Sequence, residues 1–223
     1  MRSLVLLTVL ALALSVALVF GTAIYSPRVH SRAEPHACSN GPAIEVAIGW
    51  SLDLANKRSP ALAMTETPGF NAGLSAYIEK PSSLKYLGKA GFVVSCPLMI
   101  SVMPKAGKVG AVEVDMVTSD PYNLDSAMNL MAYWRDKFVS MNLSAAPQRF
   151  SRNVEPFDSV APFFRQFLNL SPIGKSTGAW ENNNEIIALG IERWNTAPMN
   201  QPFKFMYVVE ISVQEQDLFP ELH

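Results

Sequence analysis

No side chain that is charged at neutral pH occurs between Arg2 and Arg28, and this gap restricts the fate of the chain more than any other feature. Residues 3–24 are apolar apart from Ser3, Thr8, Ser15 and Thr22. As a helix rising about 1.5 Å per residue they would span about 33 Å, enough to cross the hydrocarbon core of a bilayer. A core helix of a water-soluble domain would show a polar stripe, and this stretch has none. Gly21, Thr22 and Ala23 put small residues where a signal peptidase would cut, yet the apolar run exceeds the roughly 7–15 residues of an ordinary signal sequence. Residues 1–26 are therefore expected to be a transmembrane anchor or a signal peptide. The remainder is expected outside the cytoplasm, as a single-pass protein of the bacterial inner membrane and periplasm or, after cleavage, as a secreted one. Arg2 on one side balances Arg28 and Arg32 on the other, so orientation does not follow from charge.

Residues 27–43 are rich in Pro, Ser and charge without apolar periodicity, which reads as a linker. The two cysteines are Cys38, near the end of that linker, and Cys96, within an apolar run. In an exported domain an even, small count suggests one disulfide, Cys38 to Cys96; two unpaired thiols, with Cys96 an ordinary small core residue, is the alternative.

Residues 44–223 form the expected extracytoplasmic domain, large enough to bury a core without help. Its pattern predicts a strand over 44–54, two short helices over 70–80 and 82–89, and a strand over 91–103 with Pro97 at an edge or bulge. A third strand over 109–119 carries Val112, Val114 and Met116 on one face and Ala111, Glu113 and Asp115 on the other. Leu124, Met128, Met131, Trp134, Phe138 and Met141 recur every three or four residues and predict a helix over 123–141, with Asp120 or Asn123 as cap. A second helix is expected over 158–170, then two strands over 185–194 and 203–214. The fold class that follows is α+β: a mainly antiparallel sheet of about five strands with two main helices on one face, preceded by the N-terminal hydrophobic helix.

Several chemistries fall away. With 18 basic and 19 acidic residues the formal charge is -1, and the basic residues are scattered, so no surface is prepared for nucleic acid. Gly174-Lys175-Ser176-Thr177 ends like a phosphate-binding loop, but Asn169 stands where the first glycine belongs and Pro172 removes an amide donor. The stretch reads as a helix-to-strand turn with Lys175 in solvent, and no nucleotide is expected. His30 and His36 lie in the linker and His223 ends the chain, so a histidine-dependent triad has no source in the domain core. A metal shared by His30, His36 and Cys38 would have to form on a Pro-containing segment, and neither metal nor cofactor is expected.

Glu113 and Asp115 point to the same side of one strand and can serve as paired acids in glycan hydrolysis, although a solvated sheet face accounts for them as well. Trp50, Trp180 and Trp194 could stack sugars or fill the core. Asn142-Leu143-Ser144 and Asn169-Leu170-Ser171 match the glycosylation acceptor pattern. The reading that fits most of these features is a membrane-tethered or exported, non-enzymatic domain that binds another protein of the cell envelope as an accessory or immunity-type factor. The alternatives are a histidine-independent glycan hydrolase and a small-ligand-binding domain.

Overall fold

A computed structural model of the chain describes residues 40–65, 75–146, 154–166, 173–197 and 204–216. In chain order the elements are β1 (Ala43–Val46), α1 (Leu52–Arg58), a 3-10 turn (Pro60–Leu62), β2 (Ala76–Glu79), β3 (Ser83–Tyr86), β4 (Phe92–Ser95), β5 (Met99–Lys105) and β6 (Lys108–Met116). Then come α2 (Leu124–Ser140), β7 (Ser144–Ala145), α3 (Phe157–Gln166), β8 (Ile173–Asn182), β9 (Glu185–Asn195) and β10 (Phe205–Glu215). The described residues are thus mostly β. Seven strands form one antiparallel sheet in the order β2-β5-β6-β10-β9-β8-β7, and three form a smaller sheet, β1-β3-β4, in which β1 and β3 run parallel.

This corrects the α+β expectation of about five strands: ten strands in two sheets are present, with three helices among the described residues. The two short helices expected over 70–80 and 82–89 are replaced, in their described parts, by β2 and β3. In β3 the pattern is of period two, with Leu84 and Tyr86 buried and Lys85 exposed between them. So short a run cannot tell strand from helix by itself, and pairing with β1, β4 and β5 decides. The strand expected over 44–54 stops at Val46, because Gly49 at φ 82 turns the chain and Ser51 caps α1 by accepting a hydrogen bond from Leu54 N at 3.2 Å. The strand expected over 91–103 is two strands, broken at Cys96, whose φ is 53. The turn read at Gly174–Thr177 is part of β8.

Other expectations agree with the structure. Asn123 caps α2, its side chain accepting from Asp125 N at 2.9 Å and Ser126 N at 3.3 Å. A two-residue turn closes the expected β5–β6 hairpin, with Ala106 and Gly107 at φ 48 and 73, and a second, Asn183 and Asn184 at φ 48 and 73, closes a β8–β9 hairpin that the sequence pattern does not predict. The positive angles match the turn to the right-handed twist of the strands, which is why asparagine and glycine occupy most of these places.

A single core gathers one face of the large sheet (Val112, Val114, Leu189, Ile191, Val209, Ile211) with the inner faces of all three helices and of the small sheet. Aromatic rings link the layers. Tyr86 stacks on Phe92 at 5.0 Å between centroids, Phe92 meets Phe138 of α2 edge-on at 5.7 Å, and Phe138 meets Trp180 of β8 at 5.3 Å. Lys89, beyond the end of β3, binds the β8–β9 turn through Nζ to Asn183 O at 2.9 Å and through its backbone N to Glu185 Oε1 at 3.3 Å.

The segment expected to be an anchor or signal, the linker up to residue 39, Cys38, all three histidines and Asn169 lie outside the described residues. Among the described residues no helix is long and apolar enough to cross a membrane.

Candidate functional site

Since the three described helices all pack on one side of the seven-stranded sheet, alternation along each strand sends the intervening side chains to the face turned away from them. On β6 these are Glu113 and Asp115, on β10 Glu210 and on β9 Glu192. Register brings them together. Glu210 lies directly opposite Asp115, and Ser212, one step along the same face of β10, lies opposite Glu113. On the other side of β6, Ser101 of β5 pairs with Glu113 and Met99 with Asp115. Glu210 faces Gly190 of β9, and Glu192 follows two residues on. No Lys or Arg occupies any of these register positions.

The side chains close the cluster further: carboxylate oxygens of Glu113, Asp115 and Glu210 all lie within 4.8 Å of one another. Asp115 is 3% exposed and Ser101 4%, whereas Glu113 and Glu210 are half-buried. The expectation of a solvated strand face is therefore corrected for Asp115, which is buried on an inner strand of the large sheet. Trp194, on the same face of β9, donates from Nε1 to Glu192 Oε2 at 2.8 Å and fixes that carboxylate.

Burial with like charges nearby makes the ionised forms costly. Loss of solvation, then the charges of Glu113 and Glu192, push Asp115 up to about 7. Burial, then Glu113, Glu192 and Asp115, push Glu210 up to about 8. Glu113 is raised as well, by burial and then by Glu192. At neutral pH the trio shares protons, so it can act as an acid, as a base, or as a receptor for a positive charge that displaces those protons. Its donors are all oxygens, and hydroxyls of Ser101 and Ser212 flank Glu113. Hard divalent cations such as Ca²⁺ or Mg²⁺ suit such a set; the site has no thiolate or imidazole to favour softer metals.

The paired acids read from the sequence are thus brought together, and Glu210 joins them as a third member that sequence reasoning did not connect. Its signal was present in the alternation of β10, but its partner strand was not legible. The remaining sequence candidates do not converge here. Trp50 and Trp180 pack against the core, and only Trp194 reaches the acid face. Cys96 sits in the turn between β4 and β5. Asn142 is exposed at the end of α2 with φ 53, the left-handed region that asparagine tolerates. Lys175, expected in solvent, is half-buried on β8, its Nζ 3.1 Å from Glu155 Oε1 and 4.2 Å from the Phe163 ring centroid. Compared with known protein families, curated proteins and solved structures, the chain matches none.

Proposed function

We propose that this chain is an exported binding module whose large sheet, on the face turned away from the described helices, takes a divalent cation between Glu113, Asp115 and Glu210. The observation that carries the reading is the convergence of three carboxylates within 4.8 Å, with no Lys or Arg in register to neutralise them. Like charges placed opposite one another across a ladder destabilise a sheet, and a bound cation removes that cost. The export expected of residues 1–26 would put the site where millimolar Ca²⁺ is common and where extracellular sites bind at about 10⁻⁴–10⁻³ M. An accessory or immunity-type role, in which the same domain contacts another envelope protein, accords with that location and with a domain sequence that has no histidine before residue 223.

Titration of the purified full chain with CaCl₂ and with MgCl₂ tests this, read by calorimetry and by melting temperature. Saturable binding and a rising Tm are expected, both lost in the Glu113→Gln, Glu210→Gln double variant. A Tm indifferent to either ion up to about 10 mM, above the weakest of such sites, overturns the reading.

The proton-sharing state of Asp115 favours one alternative, hydrolysis of envelope glycans with one acid as proton donor and a neighbour as nucleophile. Carboxyls this close resemble the roughly 5 Å separation of retaining enzymes rather than the roughly 6.5–9.5 Å of inverting ones. Turnover of peptidoglycan or chito-oligosaccharides that vanishes in Asp115→Asn would favour it, and an inert wild-type protein ends it.

A further inference from the structure

Away from the acid face, α3 and β8 border a half-open cleft of about 430 Å³ lined by Glu155, Ser159, Val160, Pro162, Phe163 and Lys175, among others. We propose that this cleft is a second binding site, for a small monoanion with a flat apolar body, and that Lys175 is the residue that recognises its charge. The volume falls within the roughly 300–1,000 Å³ of small-molecule sites. The proposal is independent of cation binding at Glu113.

The position of Lys175 is the first argument. On β8 it stands in register with Ile191, a wholly buried core residue, so an apolar side chain would satisfy the sheet there. Instead an ammonium is held half-buried. Val154 bridges to Ser176 and Glu155 N donates to Ser176 O at 2.8 Å, which sets Glu155 beside Lys175. The ion pair is lopsided: the Lys175 side chain is 24% exposed and that of Glu155 43%. An ion pair this open adds little to stability, so it gives a weak structural reason for the lysine.

The chemistry of the occupant follows from what the cleft offers. An ammonium has three N–H donors and no acceptor. Glu155 takes one, and the Phe163 ring lies under the charge at 4.2 Å, which leaves donor capacity for one more oxygen. With Glu155 present the cleft carries no net charge, so it suits one negative charge and not a polyphosphate. The strand geometry agrees, since Gly174, Lys175, Ser176 and Gly178 pair with β9, with Thr177 at a register shift, instead of forming a loop of amides around an anion. Val160, Pro162 and Phe163 give the apolar wall against which a flat ring can lie, and Ser159 supplies a hydroxyl at the margin.

The test is a titration of the full chain with 1-naphthoate, followed by the ligand's fluorescence anisotropy, with neutral naphthalene methanol as comparison. Saturable 1:1 binding is expected, with a Kd at or below about 1 mM for a probe of this size. Lys175→Met, which keeps an unbranched side chain but removes the ammonium, is expected to weaken naphthoate at least tenfold while leaving the neutral analogue within twofold. Lys175→Arg restores most of the affinity, and Glu155→Gln, which removes the competing anion, tightens it severalfold. Opposite effects at the two members of one ion pair are not what a purely structural pair would give. Absence of saturable binding to the wild type, equal binding by Lys175→Met, or equal weakening by Glu155→Gln and Lys175→Met would each overturn the proposal. The Glu113→Gln, Glu210→Gln variant serves as a control that keeps the cleft intact.

Discussion

Asp115 on β6 and Glu210 on β10 face each other across adjacent antiparallel strands, two acids in one register pair at the centre of a seven-stranded sheet. Their neighbours on the same face are Glu113, Glu192, serines and small or apolar residues, so protons take the place of counter-charges. The folded chain holds a proton on Asp115 up to about pH 7 and on Glu210 up to about pH 8, while the unfolded chain releases both in the ordinary carboxylate range. Between these limits the folded state binds more protons than the unfolded one, and stability must fall as pH rises. In a metal chelator, Tm is expected to be highest near pH 5 and to drop by several degrees by pH 9. Asp115→Asn should flatten that slope. A Tm that rises from pH 5 to pH 9 would contradict the arrangement.

The same register pair allows an internal cation to be tested in place of a bound one. Glu210→Lys puts an ammonium opposite Asp115 and next to Glu113, converting a repulsive pair into an attractive one. The variant is expected to be more stable than wild type at pH 8 without added metal, by about 1 kcal/mol, or about 3 °C in Tm for a domain of this size. It should also lose any Ca²⁺-dependent rise in Tm. Thermal melts with and without CaCl₂ measure both effects together.

How far this site could be read from sequence depends on what local patterns carry. Alternation in residues 111–116 placed Glu113 and Asp115 on one face, and the alternation of β10 placed Glu210 opposite its apolar residues, both in agreement with the structure. That β6 and β10 are neighbours is a long-range pairing, and no local period encodes it. The Asn123 cap and the Met131, Trp134 and Phe138 stripe of α2 were legible because helix period and cap chemistry are local. β2 and β3 were not, because at four residues each they acquire their conformation from the strands beside them.

Cys96 lies in a tight turn at φ 53, a place where its position is fixed by β4 and β5 on either side. The sequence-based pairing with Cys38 remains a proposal, and mass spectrometry under non-reducing conditions decides it. A disulfide gives a mass 2 Da below the dithiol and no reaction with a thiol reagent after denaturation. It would close a loop of about 58 residues, and its reduction is expected to lower stability by up to about 4 kcal/mol. Two reactive thiols in the denatured, unreduced protein would show that the pair does not form.

Gly178 follows directly on the stretch that the sequence suggests is a turn, and in the structure it is a strand residue covered by an aromatic ring. On β8, opposite Leu189 of β9, it leaves room for Trp180, whose ring also packs on Phe138. A Cβ at Gly178 would stand 2.2 Å from Trp180 Cη2, so the ring would have to leave its place against α2. Gly174 on the same strand is less crowded: a Cβ there meets Glu192 Oε1 at 3.2 Å and Cγ at 3.3 Å, so Glu192 has to give by only a few tenths of an ångström. Gly178→Ala is therefore expected to cost about 1–3 kcal/mol, the range for overpacking a filled core, and Gly174→Ala less than about 1 kcal/mol. Urea unfolding midpoints compare the two. The near-ultraviolet circular dichroism of the tryptophans should change only in Gly178→Ala. Equal midpoints for both variants would mean that Trp180 can repack at no cost, and that the aromatic link between α2 and β8 is looser than its 5.3 Å spacing implies.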